Sequence, residues 1–218
     1  MDYALARLNM VESQIRTNKV TDPDLIAAFE SVPREQFVPK GKRGIAYTDE
    51  ALEIGEGRYM LEPMVLARLL QAAMPGPADV ALDVACGTGY ATALLSRLVS
   101  TVVGVDSAEQ LVEQGNGILS GLEIDNAALV SGSLTAGYRK QAPYNVILVN
   151  GAVETLPDDL FGQLAEGGRL VTIEGGSSVG PGLAVLYEKL AGRIGRWILF
   201  DAGTPMLAGF RREPGFVF

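Results

Sequence analysis

The sequence predicts an α/β fold: a mostly parallel sheet with an antiparallel C-terminal hairpin, preceded by an N-terminal helical extension. Three observations predict it. From residue 79 onward, short apolar strands alternate with helical segments, as in a parallel sheet covered on both faces. The stretch Val80-Ala81-Leu82-Asp83-Val84-Ala85-Cys86-Gly87-Thr88-Gly89-Tyr90 is an apolar run that bends through small residues into Ala91-Thr92-Ala93-Leu94-Leu95. It reads as a buried strand, a tight glycine turn and a helix start. The last two apolar segments, 183–190 and 197–201, are joined by Ala191-Gly192-Arg193, a hairpin-like connection.

The elements follow in order. Tyr3, Leu5, Leu8, Met10, Val11 and Ile15 are spaced for an amphipathic helix over 2–17. Thr21-Asp22-Pro23 starts a second helix, with a capping residue ahead of a first-turn proline. Residues 41–57 are glycine-punctuated and read as a loop or short strand reaching toward the glycine turn. Glu62-Pro63 starts a third helix, stopped by Pro75-Gly76-Pro77. Strand 80–84, helix 90–99, strand 101–105, helix 107–121 and strand 127–131 come next. A loop leads to strand 144–149, helix 156–165 and strand 168–174. Residues 1–78 are expected to form the helical extension with a covering loop, and 79–218 the sheet domain, in one compact unit.

Composition narrows the function classes. The chain has 218 residues, 48% hydrophobic, with a net charge of −8. Its sequence pI is about 4.7 and its mean hydropathy +0.20. Such an acidic chain is a poor candidate for tight nucleic-acid binding, which relies on clustered Lys and Arg. Cys86 is the one cysteine, so no internal disulfide forms and a reducing compartment is expected. It reads as a small buried filler, since a nucleophilic thiol needs a base. There is no histidine, which removes the commonest general base and metal ligand; no metal is expected. No signal peptide and no membrane-spanning run is read, and the expected location is the cytoplasm.

The chemistry centres on the glycine turn. Gly87 and Gly89 can take backbone angles closed to other residues and leave no side chain in a ligand's way. The following helix points free N–H groups into the turn. A dinucleotide fingerprint would place glycines at 85, 87 and 90, and only Gly87 fits. Thr101-Val102-Val103-Gly104-Val105-Asp106 is a second strand ending in a carboxylate. Asp106 could accept both hydroxyls of a ribose, or cap the helix from Ser107. Ser107 could cap in its stead and leave Asp106 free.

Asp83 followed by small residues and Gly87-Thr88-Gly89 resembles motif I of the class I S-adenosylmethionine-dependent methyltransferases, which share a Rossmann-like sheet. The N-terminal third is more specific. Met10-Val11-Glu12-Ser13-Gln14-Ile15-Arg16, Thr21-Asp22-Pro23 and Val32-Pro33-Arg34-Glu35-Gln36-Phe37-Val38-Pro39 resemble the opening of the protein-L-isoaspartate O-methyltransferases. Ala46-Tyr47-Thr48-Asp49, Ile54-Gly55-Glu56-Gly57, Ala142-Pro143-Tyr144-Asn145 and Gly167-Gly168-Arg169-Leu170 extend the resemblance over nearly the whole chain. That family transfers a methyl group from S-adenosylmethionine to the free carboxylate of an isoaspartyl residue, leaving S-adenosylhomocysteine. The resemblance implies cofactor contacts at Asp83, Ala85, Cys86, Gly87, Gly89, Asp106, Ser107, Gly132, Ser133, Leu134 and Asn150. It implies acceptor contacts at Tyr59, Met60, Leu61, Glu62 and Pro63.

The departures from the family cluster at the chemistry. Its Gln-Thr-Ile-Ser-x-Pro is here Arg58-Tyr59-Met60-Leu61-Glu62-Pro63, so Leu61 replaces the hydroxyl beside the substrate carboxylate. Its Gly-Asp-Gly is here Gly132-Ser133-Leu134, which loses a charge facing the adenine. Motif I carries Ala85 for the first glycine. No catalytic residue is assigned; a carboxylate nucleophile needs no general base, and transfer from a sulfonium runs largely on positioning. Three readings remain open. The chain is a methyltransferase with an altered acceptor, a working isoaspartyl repair enzyme, or a non-catalytic S-adenosylmethionine-binding module acting through a partner protein. The acceptor and the oligomeric state are not named by the sequence.

Overall fold

A computed structural model describes residues 1–175 and 181–211. Asp2 caps α1 (Tyr3–Met10), its side chain accepting from the Leu5 N–H at 3.1 Å. The segment expected as one α-helix over 2–17 is helical but changes form. A π-helical turn covers Val11–Ile15 and a 3-10 turn Arg16–Asn18, ending at Lys19 with φ +65°. Ser13 and Thr17 hydroxyls donate to the carbonyls four residues back, at 2.6 Å each, a competition that bends helices. The start of α2 (Pro23–Ser31) is as expected, with the Asp22 carboxylate accepting from the N–H groups of Asp24 and Leu25.

Residues 41–57, expected as a loop or short strand, contain both a helical turn and a short strand. A 3-10 helix covers Lys40–Ile45, and β1 (Leu52–Gly55) pairs antiparallel with β2 (Arg58–Met60). Gly55, Glu56 and Gly57 all take positive φ at the hairpin tip. The third helix, α3 (Pro63–Ala73), follows directly.

The central sheet has seven strands: β3 (Val80–Val84), β4 (Thr101–Asp106), β5 (Ala127–Ser131), β6 (Tyr144–Val153), β7 (Leu164–Glu174), β8 (Gly182–Leu190) and β9 (Arg193–Ala202). Their order is β5-β4-β3-β6-β7-β8-β9. The first five strands in that order run parallel; β7–β8 and β8–β9 are antiparallel. Successive residues go to opposite faces. Ala81, Val102, Val146 and Val171 join the core under the N-terminal helices, α3, α4 (Tyr90–Leu95) and α5 (Glu109–Gly121). Leu82, Val103, Ile147 and Leu170 face a second core with Leu160 of α6 (Asp158–Gly162), Leu207 and Phe210.

Several boundaries differ from expectation, each for a local reason. α4 stops at Leu95 rather than 99 because the N–H groups of Arg97 and Leu98 tighten to carbonyls three residues back. α5 begins at Glu109, not 107, because the Asp106 carboxylate takes the Ala108 N–H. α6 is shorter than 156–165 because Gln163 turns away, binding Ala136, Tyr138 and Asp159 through its side chain. That releases Leu164 to start β7 before the expected 168. β9 starts at Arg193 rather than 197: Ala191 and Gly192, at φ +50° and +71°, form the turn by themselves.

Candidate active site

The carboxyl ends of β3, β4 and β6 lie side by side where the strand order reverses, the usual crevice of such sheets. β3 ends in the turn, where Ala85, Gly87 and Gly89 take φ +62°, +54° and +88°. Asp83 sits fully buried on β3. The Thr92 hydroxyl donates to it at 2.7 Å, and Asn150 Nδ2 stands 3.5 Å away. Burial pushes the Asp83 carboxyl up to about 7; the bonds from Thr92 and Asn150 oppose this and the Asp106 charge adds to it. Cys86 is buried at the turn, and burial pushes its thiol well up, as do Asp83 and Asp106. A protonated thiol here is packing, not a nucleophile.

Asp106 ends β4 fully buried and is not free, which corrects the sequence expectation. Arg58 Nε stands 3.0 Å from each of its oxygens, a salt bridge with side chains only 6% and 0% exposed. The N–H groups of Gly87 and Ala108 donate to the same carboxylate at 2.9 and 3.0 Å. Ser107 does not cap α5 in its place. Its Oγ is 2.9 Å from Arg58 Nη2, so the serine is drawn to the guanidinium, and the Asp106 carboxylate holds the N–H of Ala108, the residue just ahead of α5.

On the acceptor side, Met60 and Leu61 are buried and Tyr59 half-buried. With Ile54, Tyr90 and Asn150 they line a cavity of about 10 Å³ against the turn. Among the described residues, Tyr90 OH and Asn150 Oδ1 are buried without a hydrogen-bond partner. The Leu61 carbonyl accepts from Arg34 Nη2 at 2.7 Å, and the Ala46 carbonyl from Arg34 Nε at 2.7 Å. This buried arginine ties two loops to the start of α3. Glu62 precedes Pro63, the first residue of α3, and does not line the cavity. Partial burial pushes its carboxyl up, with Asp49 and Glu50 adding like charge.

The third expected group stays apart. The Gly132 N–H donates to the Asp106 carbonyl at 2.9 Å. Ser133 is exposed, its hydroxyl 3.1 Å from that of Thr135, and Leu134 packs into the core on the opposite sheet face. None of the three lines the cavity. Sequence reasoning missed Ile54, Thr88, Thr92 and the partnership of Arg58. Thr88 Oγ1 donates to the Phe37 carbonyl at 2.6 Å, fastening the turn to the N-terminal extension. The one sequence signal for Arg58 was a cation standing beside the altered acceptor residues.

The donor chemistry suits S-adenosylmethionine: two carboxylates, a glycine turn and an unpartnered amide oxygen. The space does not. Arg58 covers Asp106, and a Cβ built on Gly87 would stand 2.5 Å from Ile54 Cδ1. The remaining cavity holds about one water, where ligand sites of this size enclose about 300–1,000 Å³. The cofactor does not fit this conformation. Among the described residues, no cluster of three or more His, Cys, Asp or Glu could hold a metal, and no helix is long and apolar enough to cross a membrane.

A family model described as protein-L-isoaspartate(D-aspartate) O-methyltransferase matches residues 6–178. A protein-L-isoaspartate O-methyltransferase of Koribacter versatilis is 38% identical over 209 residues, covering 95% of this chain and 92% of its own. One from Pelotomaculum thermopropionicum is 37% identical over 165 residues, covering 76% and 72%. A solved protein-L-isoaspartate O-methyltransferase superposes with a TM-score of 0.80 at 24% identity, over 93% of this chain and 66% of that one. A beta-aspartate methyltransferase structure from Plasmodium falciparum, in complex with S-adenosyl-L-homocysteine, gives 0.78 at 21% identity over 92% and 97%. At those identities the structural likeness concerns the fold.

Proposed function

The chain belongs to the protein-L-isoaspartate(D-aspartate) O-methyltransferase family, a family of S-adenosylmethionine-dependent enzymes, and on that premise we propose that it is a methyltransferase for a carboxylate or related acceptor, and a poor catalyst on isoaspartyl peptides. One observation carries the second half: Leu61. Its side chain is 1% exposed within the main core, and its carbonyl is pinned by Arg34. No hydroxyl is presented at the position where the resembling family has one. Leaving a buried carboxylate without that donor costs about 1–3 kcal/mol. The leucine also fills the space, and small misplacements cost about a hundredfold in rate. The acidic group of Glu62, Asp49 and Glu50 stands beside the same segment and repels an incoming carboxylate.

The test is methyl transfer to an isoaspartyl peptide, run beside the Koribacter versatilis relative. Turnover at least a hundredfold below that relative is expected, with a partial gain in Leu61→Ser. Wild-type turnover equal to the relative's would sink the proposal. The loss of the family's hydroxyl at Leu61 also suits a second reading: a non-catalytic S-adenosylmethionine-binding module that works through a partner protein. Cofactor binding without transfer to any of a panel of peptide and small-molecule acceptors would decide for it.

A further inference from the structure

We propose that Arg58 is a latch on the cofactor site, competing for the Asp106 carboxylate so that ligand enters only when the Leu52–Met60 hairpin swings off the glycine turn. The inference rests on the S-adenosylmethionine reading above and adds a gate to it. A carboxylate offers about four acceptor sites. In Asp106, the Gly87 and Ala108 N–H groups use two and Arg58 Nε spans both oxygens. Nothing remains for the vicinal hydroxyls of a ribose. Arg58 Nη2 also occupies Ser107, the neighbouring polar side chain. The hairpin closes the rest of the site: Ile54 fills the cradle over Gly87.

Among the described residues, β1 and β2 of this hairpin pair with each other alone, while the seven other strands share one sheet. Two-stranded hairpins are marginal by themselves. The ladder is already irregular between Glu53 and Gly55, and the tip runs through three residues at positive φ. Leu52, Ile54 and Met60 also pack the hairpin into the main core, and the Arg58–Asp106 pair adds a buried ionic tie to the sheet. Ligand then binds a minority open population, and the apparent affinity falls by that fraction. The latch sets a threshold: the site stays closed at low cofactor concentration and opens by mass action.

Calorimetry with S-adenosylhomocysteine on wild type, Arg58→Gln, Arg58→Lys and Arg58→Gln/Asp106→Asn tests this. Thermal melts first confirm which variants fold. Glutamine is shorter, neutral and unable to span the carboxylate, so Arg58→Gln should bind at least about tenfold tighter than wild type. Lysine is a point charge without the guanidinium fork; should Arg58→Gln fail to fold, Arg58→Lys should still bind about threefold tighter than wild type. Adding Asp106→Asn should abolish the gain. Exchange of the hairpin amides should speed up when S-adenosylhomocysteine is added to wild type. Binding of Arg58→Gln equal to or weaker than a micromolar wild type would overturn the latch and leave the cofactor reading standing. No binding by either protein at millimolar ligand would overturn both.

Discussion

Asp106→Ala should destabilise this protein strongly, even without ligand. Three consequences set the magnitude. Arg58 is left charged and buried without its partner, which costs about 3–5 kcal/mol. The N–H groups of Gly87 and Ala108 lose their acceptor, each worth about 1–3 kcal/mol if water cannot reach it. These losses overlap, because water entering the vacated space serves all three donors. A total of about 5 kcal/mol is the expected result. An unfolding entropy of about 2.1 cal/mol/K per residue turns that into a Tm lower by about 11 °C for 218 residues. Arg58→Ala should cost about 3 kcal/mol, less because Asp106 keeps two backbone donors. The double variant should lie well short of the sum, with a coupling of at least about 2 kcal/mol. Urea unfolding of the four proteins closes the cycle. A Tm loss under about 3 °C for Asp106→Ala, or additive single effects, would refute the reasoning that the pair is a buried tie.

Asp83 makes a pH prediction. Its folded carboxyl is raised to about 7 by burial, whereas an unfolded aspartate titrates near 3.9. Between those values the folded state holds a proton that the unfolded state has released, so stability falls as pH rises from about 4 to about 7. Asp83→Asn should lose that slope, and parallel urea-midpoint curves for variant and wild type would contradict it. Two helix glycines make a matched pair. A Cβ on Gly115 would stand 2.7 Å from the Thr88 carbonyl oxygen, while one on Gly117 meets nothing within 4 Å. Gly117→Ala should stabilise by about 0.5–1 kcal/mol, and Gly115→Ala should destabilise by about 1–3 kcal/mol. Equal Tm shifts for the two would mean that α5 does not rest on the glycine turn.

Much of the fold follows from local pattern. Strands covered on both faces are mostly apolar, so 80–84 and 101–105 stand out, and each is a central strand of the sheet; 127–131, equally apolar, is its half-exposed edge. Gly87 and Gly89 mark the turn because the backbone takes positive φ at both, conformations that glycine reaches without strain. Capping by Asp22 and the proline at position 23 place α2 by chemistry within three residues. Boundaries set by distant partners were not legible: Gln163 ends α6 by binding residues 136 and 138, across the chain from the helix it terminates.

The site divides the same way. The sequence by itself determined that Asp83, the glycine turn and Asp106 lie at the carboxyl ends of strands, because apolar runs ending in a carboxylate or glycines mark those ends. Only the tertiary structure decided what those groups do at rest. Arg58 stands 48 positions from Asp106, and no periodicity or spacing links a hairpin residue to a strand end that far away. Likewise Ile54 fills the cradle over Gly87 because folding brings the hairpin across the turn. A buried carboxylate takes whichever cation or donor the fold delivers, since leaving it unpaired costs several kcal/mol. In this chain the fold delivers its own arginine.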